Sequence, residues 1–121
     1  MAQPQRIVSN RYPYLDIRVT IGDWRGESSA LPDTGFTAEL VVPETLLNQD
    51  IGFPDEHIAV EVGDGRIVNS PVYLGAIEIP GLSTIPDVTI IAIGNEFIIG
   101  RGIIDLFRVT FEHGARVTVE T

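Results

Sequence analysis

The chain has 121 residues, 44% of them hydrophobic, with 12 Gly and 8 Pro spread along it. That composition describes one domain with a real core, too small for two and too apolar for a disordered segment. A net charge of −9 with 8 scattered cations excludes the clustered basic surface that nucleic acid demands. The absence of Cys excludes disulfides, thiolate nucleophiles and Cys-bound zinc.

Residues 1–13 read as a polar N-terminal arm and 14–121 as the folded domain. The N-terminal stretch lacks the apolar segment of a secretory signal, and no apolar run approaches membrane-spanning length. The expectation is therefore a cytoplasmic protein without a membrane partner. Tyr14 to Ile21 alternates apolar and polar residues, as a half-buried strand does, and Gly22-Asp23 turns it back into a second strand over Glu27–Leu31. A further strand is expected over Thr37–Val42, followed by a short helix at Pro43–Leu47, where Pro and an acidic residue suit a first turn.

Ile58–Val62 is the next strand. Gly63-Asp64-Gly65 forms a hairpin tip, and Arg66–Val68 leads back. Val72–Ile79 alternates again and ends at Pro80-Gly81. Val88–Ile93 is the most apolar strand and is expected at the centre of the sheet. After Gly94-Asn95-Glu96 come Phe97–Gly100 and a helix near Gly102–Phe107, with Ile103, Ile104 and Phe107 on one face. Val109–Val119 is a hairpin turning at His113-Gly114. Many short strands with frequent turn signals and one or two short helices imply an all-β, closed or sandwiched domain.

The chemistry concentrates at Leu31-Pro32-Asp33-Thr34-Gly35. As L-P-x-T-G this string matches a cell-wall sorting signal, but such a signal would sit near a C-terminus, ahead of an apolar span and a basic tail. Neither follows Gly35, so the sorting reading fails on context. The other parsing takes an apolar strand running into Asp33-Thr34-Gly35, where Thr and Gly turn the backbone tightly.

Three features in order resemble the retroviral-type (retropepsin-like) aspartic peptidases, the single-lobed relatives of pepsin. They are Ala30–Gly35 with the following Glu39–Pro43, the hairpin around Val62–Ile67, and Phe97–Ile104 with its apolar-apolar-Gly segment Ile98-Ile99-Gly100 followed by Arg101. Together they span nearly the whole chain. The resemblance implies a closed acid-protease barrel and an aspartic endopeptidase in which Asp33 from each chain of a homodimer forms a catalytic dyad. Thr34 would then hydrogen-bond across the dimer, Gly35 would bind substrate backbone, and Gly63, Asp64 and Gly65 would form a flap over an extended peptide. A dimer is needed because the chain holds one D-T-G, and the chemistry needs two carboxylates about 3 Å apart that share a proton. The alternative is a catalytically silent peptide-binding or dimerisation domain on the same fold.

Other readings stand beside these. Asp-Thr-Gly is also good turn chemistry. Arg101 suits a structural cation paired with a carboxylate, and Trp24 suits either a lid on the core or a dimer contact. His57 and His113 lie far apart without ligand spacing, so neither metal nor cofactor is expected. Ser28 and Ser29 lack a nucleophile-elbow motif. Three departures from the family pattern carry physical expectations. Pro32 before Asp33 would cost the approach strand a ladder bond. Phe36 would narrow the neighbouring substrate pocket. Thr37-Ala38 supply no acid to pair with Arg101.

Overall fold

A computed structural model describes residues 5–121. Ten strands and one α-helical turn carry the described residues: β1 (Arg6–Ser9), β2 (Leu15–Ile21), β3 (Trp24–Pro32), β4 (Leu40–Val42), β5 (Glu56–Glu61), β6 (Ile67–Ile79), β7 (Ser83–Ala92), β8 (Ile98–Ile99), α1 (Arg101–Ile104), β9 (Arg108–Glu112) and β10 (Arg116–Glu120). A 3-10 turn over Glu44–Asn48 follows β4 where the short helix was expected.

The main sheet runs β2-β3-β8-β4-β7-β6-β5, and β2 also pairs with β6, which closes the first six of these strands into a barrel. The seam is possible because Gly75 has no side chain: a Cβ there would lie 2.2 Å from the Thr20 carbonyl oxygen. The register of β6 against β7 shifts between Gly75 and Ile77, a bulge that bends β6 around the barrel. Beyond the seam β6 continues as one arm of the β5–β6 hairpin.

Alternation in β2 does what its pattern requires. Leu15, Ile17, Val19 and Ile21 are all at most 3% exposed, while Asp16 and Arg18 face solvent. With Leu40, Ile77, Ile79, Val88, Ile90, Ile99 and Ile103 they fill the barrel interior, each buried aliphatic chain contributing about 1.5–3 kcal/mol. A second, smaller apolar cluster of Val41, Val72 and Ile91 is joined by Phe36, Ala38, Ile58, Val60, Ile93 and Ile98. These residues bring the D-T-G loop, the hairpin base and β8 against one another.

Several elements differ from expectation. The arm at 1–13 contributes β1, which pairs antiparallel with β10, and β10 pairs with β9 in a separate three-stranded sheet; residues 1–4 lie outside the described residues. Only Leu40–Val42 of the expected Thr37–Val42 strand is extended pairing, because the Ala38 and Glu39 carbonyls accept hydrogen bonds from Gly102 and Gly100 instead of a neighbouring strand. The two segments expected either side of Pro71 form one 13-residue strand, β6. The helix expected near Gly102–Phe107 is a single turn, Arg101–Ile104, that tightens into i→i−3 bonds from Leu106 to Ile103 and from Phe107 to Ile104. Its predicted apolar face holds: Ile103 is buried, and Ile104 and Phe107 pack on the core.

Candidate functional site

β3 carries Asp33 to the barrel's end, where the carboxylate is half-buried and Thr34 and Gly35 are exposed. The Gly35 N–H donates to Asp33 Oδ1 at 2.8 Å, and the Phe36 N–H donates to the Asp33 carbonyl at 3.2 Å. One carboxylate oxygen is thereby fixed by its own loop. The segment from Ile99 to Gly102 grips the same loop from the other side. Asp33 N–H donates to the Ile99 carbonyl, Gly100 N–H to Glu39, Arg101 N–H to Phe36 and Gly102 N–H to Ala38, at 2.8 to 3.1 Å. Gly100 is required here, because a Cβ would stand 2.1 Å from the Ala38 carbonyl oxygen and 2.6 Å from the Phe36 ring. The apolar-apolar-Gly segment thus has a mechanical role: Ile99 anchors in the core, and Gly100 lets two backbones touch.

Pro32 does not cost the ladder bond that its sequence position suggested. Leu31 and Asp33 donate to the Phe97 and Ile99 carbonyls of the β8 segment, so the Pro32 nitrogen faces the opposite edge. There the β2–β3 ladder has already ended at Leu15 against Ala30. No donor is missed, and the buried ring packs instead.

The β5–β6 hairpin is stapled at its tip. Val62 N–H donates to the Arg66 carbonyl and Gly65 N–H to Val62, with Gly65 at φ +86°. Asp64 accepts the Arg66 N–H at 3.0 Å on one oxygen and faces the Arg66 Nε at 2.6 Å with the other, so its carboxylate serves the turn. Val62 and Gly63 line a cleft of about 290 Å³ whose other walls are Phe36, Val41, Val60, Ile93 and Ile98, with Gly94, Asn95 and Glu96 at its edge. Of the hairpin residues singled out in the sequence, Gly63 reaches this cleft, and Asp64 and Gly65 shape the tip. Phe36 forms a wall of it. Larger clefts of about 420 and 550 Å³ open around Arg18 and include none of the D-T-G or hairpin-tip residues. That surface is occupied by an exposed ion cluster, in which hydrogen bonding to Glu27 and then Glu78 raises the Arg18 pKa.

Arg101 has a carboxylate after all: its Nε lies 3.6 Å from Asp105 Oδ2, one turn along, with both groups exposed. Trp24 packs on the core, covers Gly26 and donates its indole N–H to Gln49 Oε1 at 2.8 Å. Among the described residues no cluster of metal-ligating side chains occurs, and no helix is long and apolar enough to cross a membrane. Glu39 is the site residue that sequence reasoning left without a role. Its Oε1 accepts the Thr89 N–H at 2.8 Å, a partner 50 positions away that no local spacing could signal.

No family model matches the chain, and no curated protein matches it. Among solved structures it is similar to a crystal structure of a retropepsin-like aspartic protease from Rickettsia conorii, with a TM-score of 0.61 and 11% identity over 98% of this chain and 92% of that one. At that identity the likeness is one of fold: an all-β, closed retropepsin-like barrel.

Proposed function

We propose that the chain is an aspartic endopeptidase that acts as a homodimer, with Asp33 contributed by each copy. The observation that carries this reading is the D-T-G turn at the end of β3. Its carboxylate is oriented by Gly35 and its backbone is clamped by residues 99–102, on a retropepsin-like fold. Two such carboxylates across a two-fold axis share one proton. The ionised one removes a proton from a water as its oxygen bonds to the scissile carbonyl carbon, and the protonated one gives its proton to the carbonyl oxygen. Collapse of the resulting diol breaks the C–N bond as a proton passes to the amine nitrogen, releasing a carboxyl and an amine terminus. The peptide lies extended under the β5–β6 hairpin, which excludes water, and one of its apolar side chains enters the cleft walled by Phe36, Val41 and Ile98.

Asp33→Asn tests the reading. Cleavage of a randomised peptide pool should fall at least about a hundredfold, the scale of a lost general acid–base group, while melting temperature and dimer mass stay put. Undiminished cleavage by the variant would remove Asp33 from the chemistry.

A further inference from the structure

Glu39 stands where three parts of the site meet. Its backbone carbonyl accepts the Gly100 N–H at 2.8 Å, and its side-chain Oε1 accepts the Thr89 N–H at 2.8 Å. Its Cγ occupies the space that a side chain at position 102 would need, since a Cβ on Gly102 would come within 2.7 Å of it. β4 pairs with β7 in parallel from Leu40 opposite Ile90 onward. Thr89 therefore lies one step before the ladder begins, with an N–H that no β4 residue reaches. The Glu39 carboxylate supplies the missing acceptor and prolongs the β4–β7 ladder by one bond made from a side chain. An acidic residue at the start of an apolar strand is otherwise costly to half-bury, and this bond explains its presence.

We infer that Glu39 is the positioning residue of the D-T-G loop: by holding Thr89 of β7 with its side chain and Gly100 with its backbone, it fixes where the loop carries Asp33. This rests on the aspartic peptidase reading for its catalytic consequence, but not for its structural one. The chain from Glu39 to Asp33 is short and continuous. Residues 36, 38 and 39 each accept a backbone bond from the 100–102 segment. Without the Glu39 bond, that layer is tied to β7 only from Leu40 onward, one step further from the D-T-G loop. Glu39 acts through the loop. The acceptor matters more to the role than the charge, because an amide oxygen also accepts the Thr89 N–H, although more weakly than a carboxylate.

The test uses the full chain and two readouts. Amide hydrogen exchange is followed at Thr89, Gly35 and Phe36. In Glu39→Ala all three should exchange about tenfold to a hundredfold faster, the opening expected when a part-buried donor loses its partner. Glu39→Gln should stay within about threefold of the parent. Gly102→Ala, which displaces the Glu39 side chain without removing it, should reproduce the alanine pattern. Val117→Ala, a core truncation in the three-stranded sheet, should lower global stability without singling out these amides. On a fluorogenic peptide drawn from the cleaved pool, Glu39→Ala should lower kcat about tenfold to a hundredfold with KM within about twofold, as misplaced catalytic groups do, and Glu39→Gln should restore it. Unchanged exchange at Thr89, or acceleration at Thr89 without Gly35 and Phe36, would overturn the inference. If the parent cleaves nothing, the peptidase reading falls and the exchange result still decides the role of Glu39 in holding the loop.

Discussion

Gly100→Ala puts the clamp on the D-T-G loop to a quantitative test. An alanine Cβ would start 2.1 Å from the Ala38 carbonyl oxygen, 2.9 Å from its carbon and 2.6 Å from the Phe36 ring, whereas real Cβ contacts do not fall below 3.0 Å. Two of these obstacles are backbone atoms, so no rotamer change relieves them. The β8–α1 corner and the 36–38 loop must part by roughly 1 Å in an interior packed like a crystal. That movement stretches the Gly100 bond to Glu39 and the Arg101 bond to Phe36, both 2.8 Å long. Overpacking costs about 1–3 kcal/mol and each weakened backbone bond about 1 kcal/mol more, for a total near 3–5 kcal/mol. For a domain this size that is a fall in melting temperature of roughly 10–20 °C. Urea denaturation at one protein concentration measures it, with Gly63→Ala as the control, since a Cβ at Gly63 meets nothing within 4 Å. The control should change stability by less than about 0.5 kcal/mol. A loss below about 1 kcal/mol for Gly100→Ala would show that the two backbones are not locked together as described.

Two further outcomes follow from groups outside the D-T-G loop. The Ser70 hydroxyl is buried on β6 with no hydrogen-bond partner among the described residues, so Ser70→Ala should raise the melting temperature by up to a few degrees, the gain from removing an unsatisfied polar group of about 1 kcal/mol; a fall of similar size would reveal a partner for that hydroxyl. Glu112 has its pKa lowered, first by its hydrogen bond to Arg116 and then by the Thr118 hydroxyl. Because the folded value lies below the ordinary 4.5, the stability this carboxylate provides is present above that pH and is lost as pH falls through the folded value. The difference in melting temperature between the parent and Glu112→Gln should be largest near neutrality and vanish in acid. A difference that does not change with pH would mean that the bond to Arg116 contributes nothing.

Local pattern made much of the barrel legible. β2 was readable because period-two burial puts Leu15, Ile17, Val19 and Ile21 inside with polar residues between them, and the turns at Gly22 and at His113-Gly114 fall where left-handed backbone is needed. What escaped was set by partners remote in sequence. Arg6–Ser9 looks like arm until β10 arrives to pair with it from the far end of the chain. Arg66–Val68 and Val72–Ile79 read as separate segments, with Pro71 between them. Yet Val72 presents its carbonyl to Asp55 of the β5 side, so the Pro71 nitrogen faces the β7 edge, where the β6–β7 ladder ends at Val72 opposite Ile91. Thr37–Glu39 read as the start of a strand, but the Ala38 and Glu39 carbonyls are claimed by Gly102 and Gly100, a competition invisible until both pieces are in place.

The two prolines make the same point about the site itself. A proline costs a strand only where its nitrogen faces a neighbour, and the side it faces is a property of register, not of composition. At Pro32 the flanking donors, Leu31 and Asp33, both go to the β8 segment. The strand can therefore carry a rigid, φ-restricted residue immediately before the carboxylate at no cost in hydrogen bonds. It also gains by it: with φ held at position 32, Asp33 N–H tied to Ile99, and Asp33 Oδ1 held by Gly35, the carboxylate is constrained from both sides and through its own side chain. The proline before Asp33 thus adds to the preorganisation that the proposed shared-proton dyad would require.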